Sequence, residues 1–351
     1  MKPERPRKTI PIKEILRALL DESQPFPANY LPSFSDLDGP NLSAVKTVWL
    51  DIPISRRLAL MEDLNDLNET DTTVLLDNIA RLGLEDTDDR VRTSAARLLW
   101  ETEDPALIDR FVAILDNDPS QVARAAGAAA LGRFVYLGEL EDLDAARFEK
   151  VVNRLLLAAT QADSPLVRRN ALASLGYSSR PEVAQLVQQA YDSGDVDWVN
   201  SALVAMARSG SSEWEPAVKR LLNSPNGMLQ ISAIRAAGEL ELSSTRRILL
   251  DLLEDEGTDS EIRAAVIWSL SQIGGEQVRE ALEALADETD DEEESELLDE
   301  ALENLNLTEM GQEMLAMFDF DIESEDEVGG VVDLERPDDD EDEKGEPTDQ
   351  A

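Results

Sequence analysis

The sequence predicts an all-α protein in which helix–turn–helix repeats stack into an α-solenoid, followed by a disordered acidic tail. One helical pattern recurs seven times along the 351 residues, and such self-similarity is typical of repeat arrays. Gly, Asp, Asn, Ser and Pro separate the helical segments. From residue 323 onward acidic residues, Gly and Pro dominate, and this composition cannot bury enough apolar surface to fold.

Each repeat has an apolar anchor residue, a small or apolar residue four positions later and a Leu-like residue eight positions later. This spacing predicts the buried face of a helix. Another amphipathic helix precedes most anchors, so a repeat is a pair of helices. Because one pair cannot bury its own apolar faces, the pairs are expected to stack around a shared core. The seven anchors are Val91, Ala123, Val167, Trp198, Leu229, Ile262 and Leu297.

The chain divides into four predicted regions. Residues 1–50 form an N-terminal cap, residues 51–308 the solenoid of about seven repeats, residues 309–322 a cap helix or docking segment, and residues 323–351 the tail. The longest step between anchors, from Ala123 to Val167, contains an insertion near residues 134–146. We expect an extra loop or turn there.

One run reads Asp-x-x-x-Val-Arg-x-x-Ala-x-x-x-Leu-Gly, and looser copies recur over residues 70–306. Its members are Asp163, Val167, Arg168, Ala171, Leu175 and Gly176. The run resembles HEAT repeats, particularly the short bacterial kind also found in phycobilisome-lyase-like proteins. The resemblance implies a right-handed α-solenoid of HEAT-like repeats but no particular function, because the family has many unrelated roles. It also implies a ladder of Asp–Arg pairs between repeats, formed by Asp88, Asp118, Asp163 and Asp259 with Arg92, Arg124, Arg168 and Arg263.

The composition excludes many enzyme classes. The chain has no Cys and no His, which excludes thiol nucleophiles, imidazole bases and thiolate or imidazole metal sites. It also lacks the Gly-rich phosphate-binding motifs. We therefore predict no catalytic residue, no cofactor and no metal.

The net charge of −43 is concentrated at one end of the chain. Residues 287–351 contain 29 acidic and two basic residues, so the rest of the chain is only mildly acidic. We attribute the negative charge mainly to a terminal acidic segment. The second explanation is adaptation to high salt, which would spread acidic residues over the whole surface. The tail is predicted either to regulate binding or only to keep the protein soluble.

The predicted partner-binding surface lies on the second helix of each repeat, which lines the concave side of such solenoids. Positions two, six and ten after each anchor point away from the core. They contain more Arg than acidic residues, together with Tyr and Trp, and these residue types suit carboxylate- or phosphate-bearing partners. The predicted partner-binding residues are Arg97, Arg133, Arg169, Tyr177, Arg208, Arg235 and Trp268.

These observations favour a non-catalytic protein–protein interaction scaffold or adaptor whose partner has an acidic or mixed surface. The alternative is a chaperone-like lyase, by analogy with phycobilin lyases that have similar repeats. Hydroxylases built on related repeats use His–Glu pairs, and this chain has no His. The strong negative charge disfavours nucleic acid as a partner. No apolar run is long enough to span a membrane and no signal peptide is recognisable, so the protein is expected to be cytoplasmic.

Overall fold

The structure, a computed structural model, describes residues 10–325 apart from residues 38, 72, 256 and 276, with the backbone alone for residues 312–325. This part of the chain contains α-helices and short 3-10 turns but no strand, which confirms the all-α prediction. Residues 326–351 of the predicted tail lie outside the described residues. The α-helices are α1 (Ile12–Leu20), α2 (Gly39–Val48), α3 (Ile54–Thr70), α4 (Asp77–Gly83), α5 (Asp89–Leu98), α6 (Ile108–Asn117), α7 (Gln121–Ala130), α8 (Gly132–Glu139), α9 (Ala145–Gln161), α10 (Pro165–Leu175), α11 (Pro181–Asp192), α12 (Val196–Arg208), α13 (Glu215–Leu221), α14 (Gly227–Glu239), α15 (Arg246–Glu254), α16 (Ser260–Ile273), α17 (Val278–Glu288) and α18 (Glu292–Glu325).

The helices stack in pairs, as an α-solenoid requires. The second helices pack side by side in one layer, and each also packs on the first helix that precedes it in the chain. The seven predicted anchors lie on these second helices, and α3 extends the layer by one helix toward the N-terminus. The second helices are α5, α7, α10, α12, α14, α16 and α18, and their first helices are α4, α6, α9, α11, α13, α15 and α17.

The polar turn before most second helices provides a side-chain N-cap. Asp88 accepts a hydrogen bond from the Arg90 amide at the start of α5, and Asp259 caps α16 in the same way through the Glu261 amide. Such side chains satisfy backbone N–H groups that have no partner within the helix. The acidic entry of the sequence pattern therefore marks where α5, α12 and α16 begin.

Small residues allow the second helices to approach closely. The residue four positions after each anchor is buried in all seven second helices: Ala95, Gly127, Ala171, Ala202, Ala233, Val266 and Ala301. Gly176, at the end of α10, lies against α12, where an added Cβ would be 2.6 Å from the Cα and carbonyl oxygen of Ala205. The layer therefore depends on the absence of a side chain at this crossing.

The implied Asp–Arg ladder connects α5, α7 and α10. Arg92 binds Asp118 of the next repeat through two hydrogen bonds of 2.7 and 2.8 Å, and both side chains are largely buried. Arg124 Nη2 lies 2.9 Å from Asp163 Oδ1, but the Asp163 side chain is 82% exposed. Burial raises the pKa of Asp118, yet hydrogen bonds from Arg92 and the Ser120 amide outweigh burial and hold the pKa below its usual value.

The other implied ladder residues make different contacts. The two remaining aspartates are the N-caps described above. Arg168 Nε donates to the carbonyl oxygen of Ala162 at 2.5 Å, and Arg263 Nε lies 3.7 Å from Glu294 Oε1. The first two links of the implied ladder are therefore present, and the links toward the C-terminus are not.

A buried ion pair continues the ladder toward the N-terminus. Arg57 Nε on α3 lies 3.0 Å from Asp86 Oδ2, and both side chains are almost fully buried. Asp86 also accepts a 2.7 Å hydrogen bond from the Trp49 indole, and Arg57 donates to the Trp49 carbonyl oxygen. These contacts attach the N-terminal segment to the first repeats.

The insertion near residues 134–146 is mainly helical, and the expected extra turn is confined to residues 140–144. Leu131 separates α7 from α8, which begins at the next residue. A short turn then connects α8 to α9. Phe134 is fully buried, and its ring centroid lies 6.3 Å from that of Phe111. Gly138 allows α8 to pack on α9, because an added Cβ would overlap the Phe148 ring. Apolar side chains at helical spacing therefore outweigh the glycines.

Asp118→Asn should lower the free energy of unfolding by about 3 kcal/mol at neutral pH, because Arg92 stays buried without its counter-charge. The folded-state pKa of Asp118 is depressed, so this stabilisation is present above the unfolded pKa and is lost as pH falls through the folded pKa. Urea unfolding followed by circular dichroism should thus show a smaller difference in acid. The control Asp163→Asn should cost about 1 kcal/mol or less, because its pair is exposed. Equal losses for the two variants would contradict this.

Gly176→Ala should destabilise the protein by about 1–3 kcal/mol, although alanine favours helices, because the new methyl group meets backbone atoms of Ala205 that cannot rotate away. The control is Gly227→Ala at the start of α14, where no atom lies within 4 Å of the added Cβ. That variant should be neutral or slightly stabilised. Thermal unfolding of both variants tests the difference, and equal melting temperatures would refute the close crossing.

Candidate functional site

A groove of about 690 Å³ crosses the layer of second helices between α3 and α12. Its floor is the small-residue face of α7, which includes Val122, Ala126 and Ala129. Because these side chains are short, the floor lies below the longer side chains of the flanking helices. Four of the seven predicted partner-binding residues line this groove: Arg97, Arg133, Tyr177 and Arg208.

Two arginines and two tyrosines form a stacked row on the C-terminal side of the groove, which we call the arginine wall (Arg133, Tyr136, Tyr177 and Arg208). The Arg133 guanidinium lies 5.1 Å from the centroid of the Tyr136 ring, and the two tyrosine rings meet edge to face at 5.3 Å. The Arg208 guanidinium lies 5.2 Å from the centroid of the Tyr177 ring. Cation–π contacts of this kind hold the guanidinium groups in fixed positions.

Further contacts orient the two arginines of the wall. Arg133 forms an ion pair with Glu103, and Arg208 Nη1 donates a 2.9 Å hydrogen bond to the carbonyl oxygen of Ala173 on α10. Arg208 forms no ion pair within the described residues, although its charge acts on the carboxylate of Glu239 at the end of α14. The arginine wall is thus preorganised by contacts within the protein.

Arg97 and Trp100 stand between the arginine wall and α3. The Arg97 side chain is exposed and forms no hydrogen bond or ion pair with any residue that the structure describes. The Trp100 side chain, just after α5, is 58% exposed. Exposed Trp and Arg are the residue types that contribute most to protein–protein binding. Trp100 was not among the predicted residues. It directly precedes Glu101, which lies ten positions after the anchor Val91 and therefore at an outward-pointing position.

The opposite side of the groove carries acidic residues, which corrects the expectation of a mainly basic surface. Glu62, Asp66 and Glu69 follow one another along one face of α3, and Glu101 lies beside them. We call these four residues the acidic wall. Within the described part of the chain, none of them forms an ion pair. Because the outward-pointing positions are defined from the anchors and the first anchor lies on α5, the prediction did not reach α3.

The other three predicted residues lie outside the groove. Arg169 on α10 forms an ion pair of 3.0 Å with Asp197 in the first turn of α12, so it joins neighbouring repeats. Arg235 on α14 is exposed, and the Trp268 side chain on α16 is 38% exposed. The structure therefore groups four predicted residues into one site and leaves three apart.

Glu239 at the end of α14 is close to two of the predicted arginines. Its side chain is accessible to solvent, but the surrounding protein reduces its hydration, and this burial raises its pKa. The charges of Arg208 and Arg235 act in the opposite direction and partly offset the effect. The charge of Arg208 therefore acts on both the groove and α14.

Two general findings limit the chemistry of the described residues. Among residues 10–311, apart from residues 38, 72, 256 and 276, no group of three or more Asp or Glu side chains is arranged to hold a metal ion. Among the helices described, none is long and apolar enough to cross a membrane. The groove itself offers guanidinium, carboxylate, phenol and indole groups, which recognise charged and aromatic partners.

Comparison with known families confirms the predicted resemblance. The family model for HEAT repeats matches residues 214–303, which include α14, α15, α16 and α17. The same stacking of helix pairs continues from these residues back to α4. No curated protein matches the chain at a significant level.

Several solved structures resemble the chain in the path of the backbone. YIBA of Escherichia coli is 16% identical over 80% of this chain and 95% of its own, with a TM-score of 0.40. The complex of CpcE and CpcF of phycocyanin lyase from Nostoc is 19% identical over 66% of this chain and 95% of its own, with a TM-score of 0.44. Yeast importin-beta is 16% identical over 84% of this chain and 46% of its own, with a TM-score of 0.41.

Arg208→Gln and Arg235→Gln should each raise the pKa of Glu239 further, because each removes a positive charge that stabilises the carboxylate. A carbon-13 NMR titration of the Glu239 carboxyl group measures this shift. Arg220→Gln, on the exposed side of α13, is the control and should leave the pKa unchanged. A fall in the pKa of Glu239 in either variant would contradict the assignment.

Proposed function

We propose that this HEAT-repeat protein is a non-catalytic, cytoplasmic scaffold that binds a protein partner in the groove between α3 and α12. The observation that carries the proposal is the presence of the exposed Trp100 and Arg97 between two charged walls. The Arg97 side chain has no ion-pair partner among the described residues. A large aromatic side chain exposed in a concave surface is available to a partner and costs little conformational entropy to order.

The rigidity of the groove supports the same proposal. Its floor belongs to the packed layer of second helices, and the arginine wall is fixed by stacking and by hydrogen bonds to the backbone. A preorganised surface loses less entropy on binding than a flexible one. The groove is thus suited to recognition of a partner with an acidic or mixed surface.

A chaperone-like lyase is the alternative that the sequence resemblance suggests. No observation in the groove favours it over the scaffold. Light absorbance of a bound pigment after co-expression with a tetrapyrrole source would support the lyase, and its absence in the captured protein would favour the scaffold.

We further propose that the acidic tail competes with the partner. Residues 323–351 contain 14 acidic and two basic residues, opposite in sign to the arginine wall. Such an attraction is strongest at low ionic strength, because salt screens exposed charges. The tail would then occupy the arginine wall and weaken partner binding without a change in fold.

Affinity capture with four forms of the protein tests both proposals. The full-length chain and the outer-face control Arg247→Glu/Leu157→Ala should retain the same partner. The groove variant Arg97→Glu/Trp100→Ala should lose it by about tenfold or more. A chain ending at residue 325 should retain more partner and show weaker salt dependence.

The two proposals fail separately in this experiment. A partner captured equally by the groove variant binds elsewhere, which would reject the groove. Equal capture by the full-length and truncated chains would reject competition by the tail and leave the groove intact.

A further inference from the structure

We infer that the groove recognises a partner segment whose charges are segregated, with basic residues at one end and acidic residues at the other. The basic end would contact the acidic wall, an apolar side chain would cover Trp100 and the floor, and the acidic end would meet Arg97 and the arginine wall. This inference rests on the proposed function and adds the chemistry and the direction of the bound segment.

No residue of the acidic wall forms an ion pair with another described residue, although the charge of Arg90 acts on Glu62. Glu62 and Asp66 are four residues apart on α3, and Glu69 is three residues further, so their carboxylates share one face and repel one another. Burial raises the pKa of the neighbouring Asp63, the charge of Asp66 adds to this rise, and the charge of Arg56 partly offsets it. A lysine or arginine of a partner would remove this repulsion.

The opposite side of the groove presents the complementary charge. Arg97 is unpaired within the described residues, and Arg208 is held by Tyr177 and a backbone carbonyl rather than by a carboxylate. Each guanidinium therefore keeps N–H groups for a ligand. Planar guanidinium groups suit carboxylates, which they can bind through two parallel hydrogen bonds.

The middle of the groove is suited to an apolar contact. Trp100 and Val122 are apolar side chains that remain exposed, and alanines of α7 line the same groove. Covering this strip removes apolar surface from water, which supplies binding energy that charges on a solvated surface do not.

The two walls disfavour partners of a single charge. A polyanion, such as a nucleic acid, would gain at the arginine wall and be repelled by Glu62, Asp66 and Glu69, so the acidic tail can attach only weakly and only at the arginine wall. A polycation would be attracted by the acidic wall and repelled by Arg97 and Arg208. Unfavourable like-charge contacts of this kind select against wrong partners.

Selection from a displayed library of random peptides of about 12 residues, long enough to cross the groove when extended, tests the inference on the full-length protein. Peptides enriched by the wild type should have bases and acids in separate halves. A synthetic peptide of this kind should bind about tenfold more tightly than its charge-alternating scramble in fluorescence anisotropy.

Charge reversal provides the decisive readout. Glu62→Lys/Asp66→Lys/Glu69→Lys should weaken the wild-type peptide about tenfold and enrich wholly acidic peptides, whereas Arg97→Glu should shift enrichment toward basic peptides. All four side chains are exposed, so folding should be retained. The matched control Glu280→Lys/Glu283→Lys/Asp287→Lys, on the exposed face of α17, should select the same peptides as the wild type.

The outcomes separate this inference from the proposed function. The wild type could instead select wholly acidic peptides whose binding does not change when the acidic wall is reversed. That result would overturn the inference but would leave the proposed binding groove intact. If no selected peptide responds to any groove variant, both the inference and the proposed groove are wrong.

Discussion

The close packing of neighbouring second helices is the constraint on which the rest of the structure depends. Each helix contributes a small or apolar residue at the same position, and at the crossing of α10 and α12 a glycine is required. This spacing brings side chains from successive repeats onto one continuous face. Tyr177 follows Gly176 directly, so the arginine wall is placed by the same contact that holds the layer together.

Electrostatic contacts between repeats add to this packing in the N-terminal half. The pairs Arg57–Asp86, Arg92–Asp118 and Arg124–Asp163 join successive repeats, and the first two are buried. Buried pairs depend strongly on both partners, whereas the exposed Arg124–Asp163 contact contributes little. The groove lies over the repeats that these pairs connect, so the scaffold is reinforced where the candidate site is found.

The sequence was sufficient to predict the layer but not the composition of the site. Apolar spacing determines which face of a helix is buried, and this predicted all seven second helices. It indicates the direction of a surface side chain but not its partner, so the ion pair between Arg169 and Asp197 was missed. Arg133 was predicted as an outward-pointing residue on the assumption that the second helix continues past Ala130. In the structure it lies on the next helix, α8. The acidic face of α3 carries no anchor of the repeat pattern, and only stacking reveals that it borders the groove.

The position of the groove has a consequence for the tail. Four second helices, α12, α14, α16 and α18, separate α10 from the C-terminal end of the layer, a distance of about 40 Å at the usual helix spacing. The 26 residues after Glu325 can extend to about 90 Å. A covalent tether of this reach presents its ligand at an effective concentration of millimolar order when it matches the span. Even a weak attachment of the tail would then act as a threshold that a free partner has to exceed.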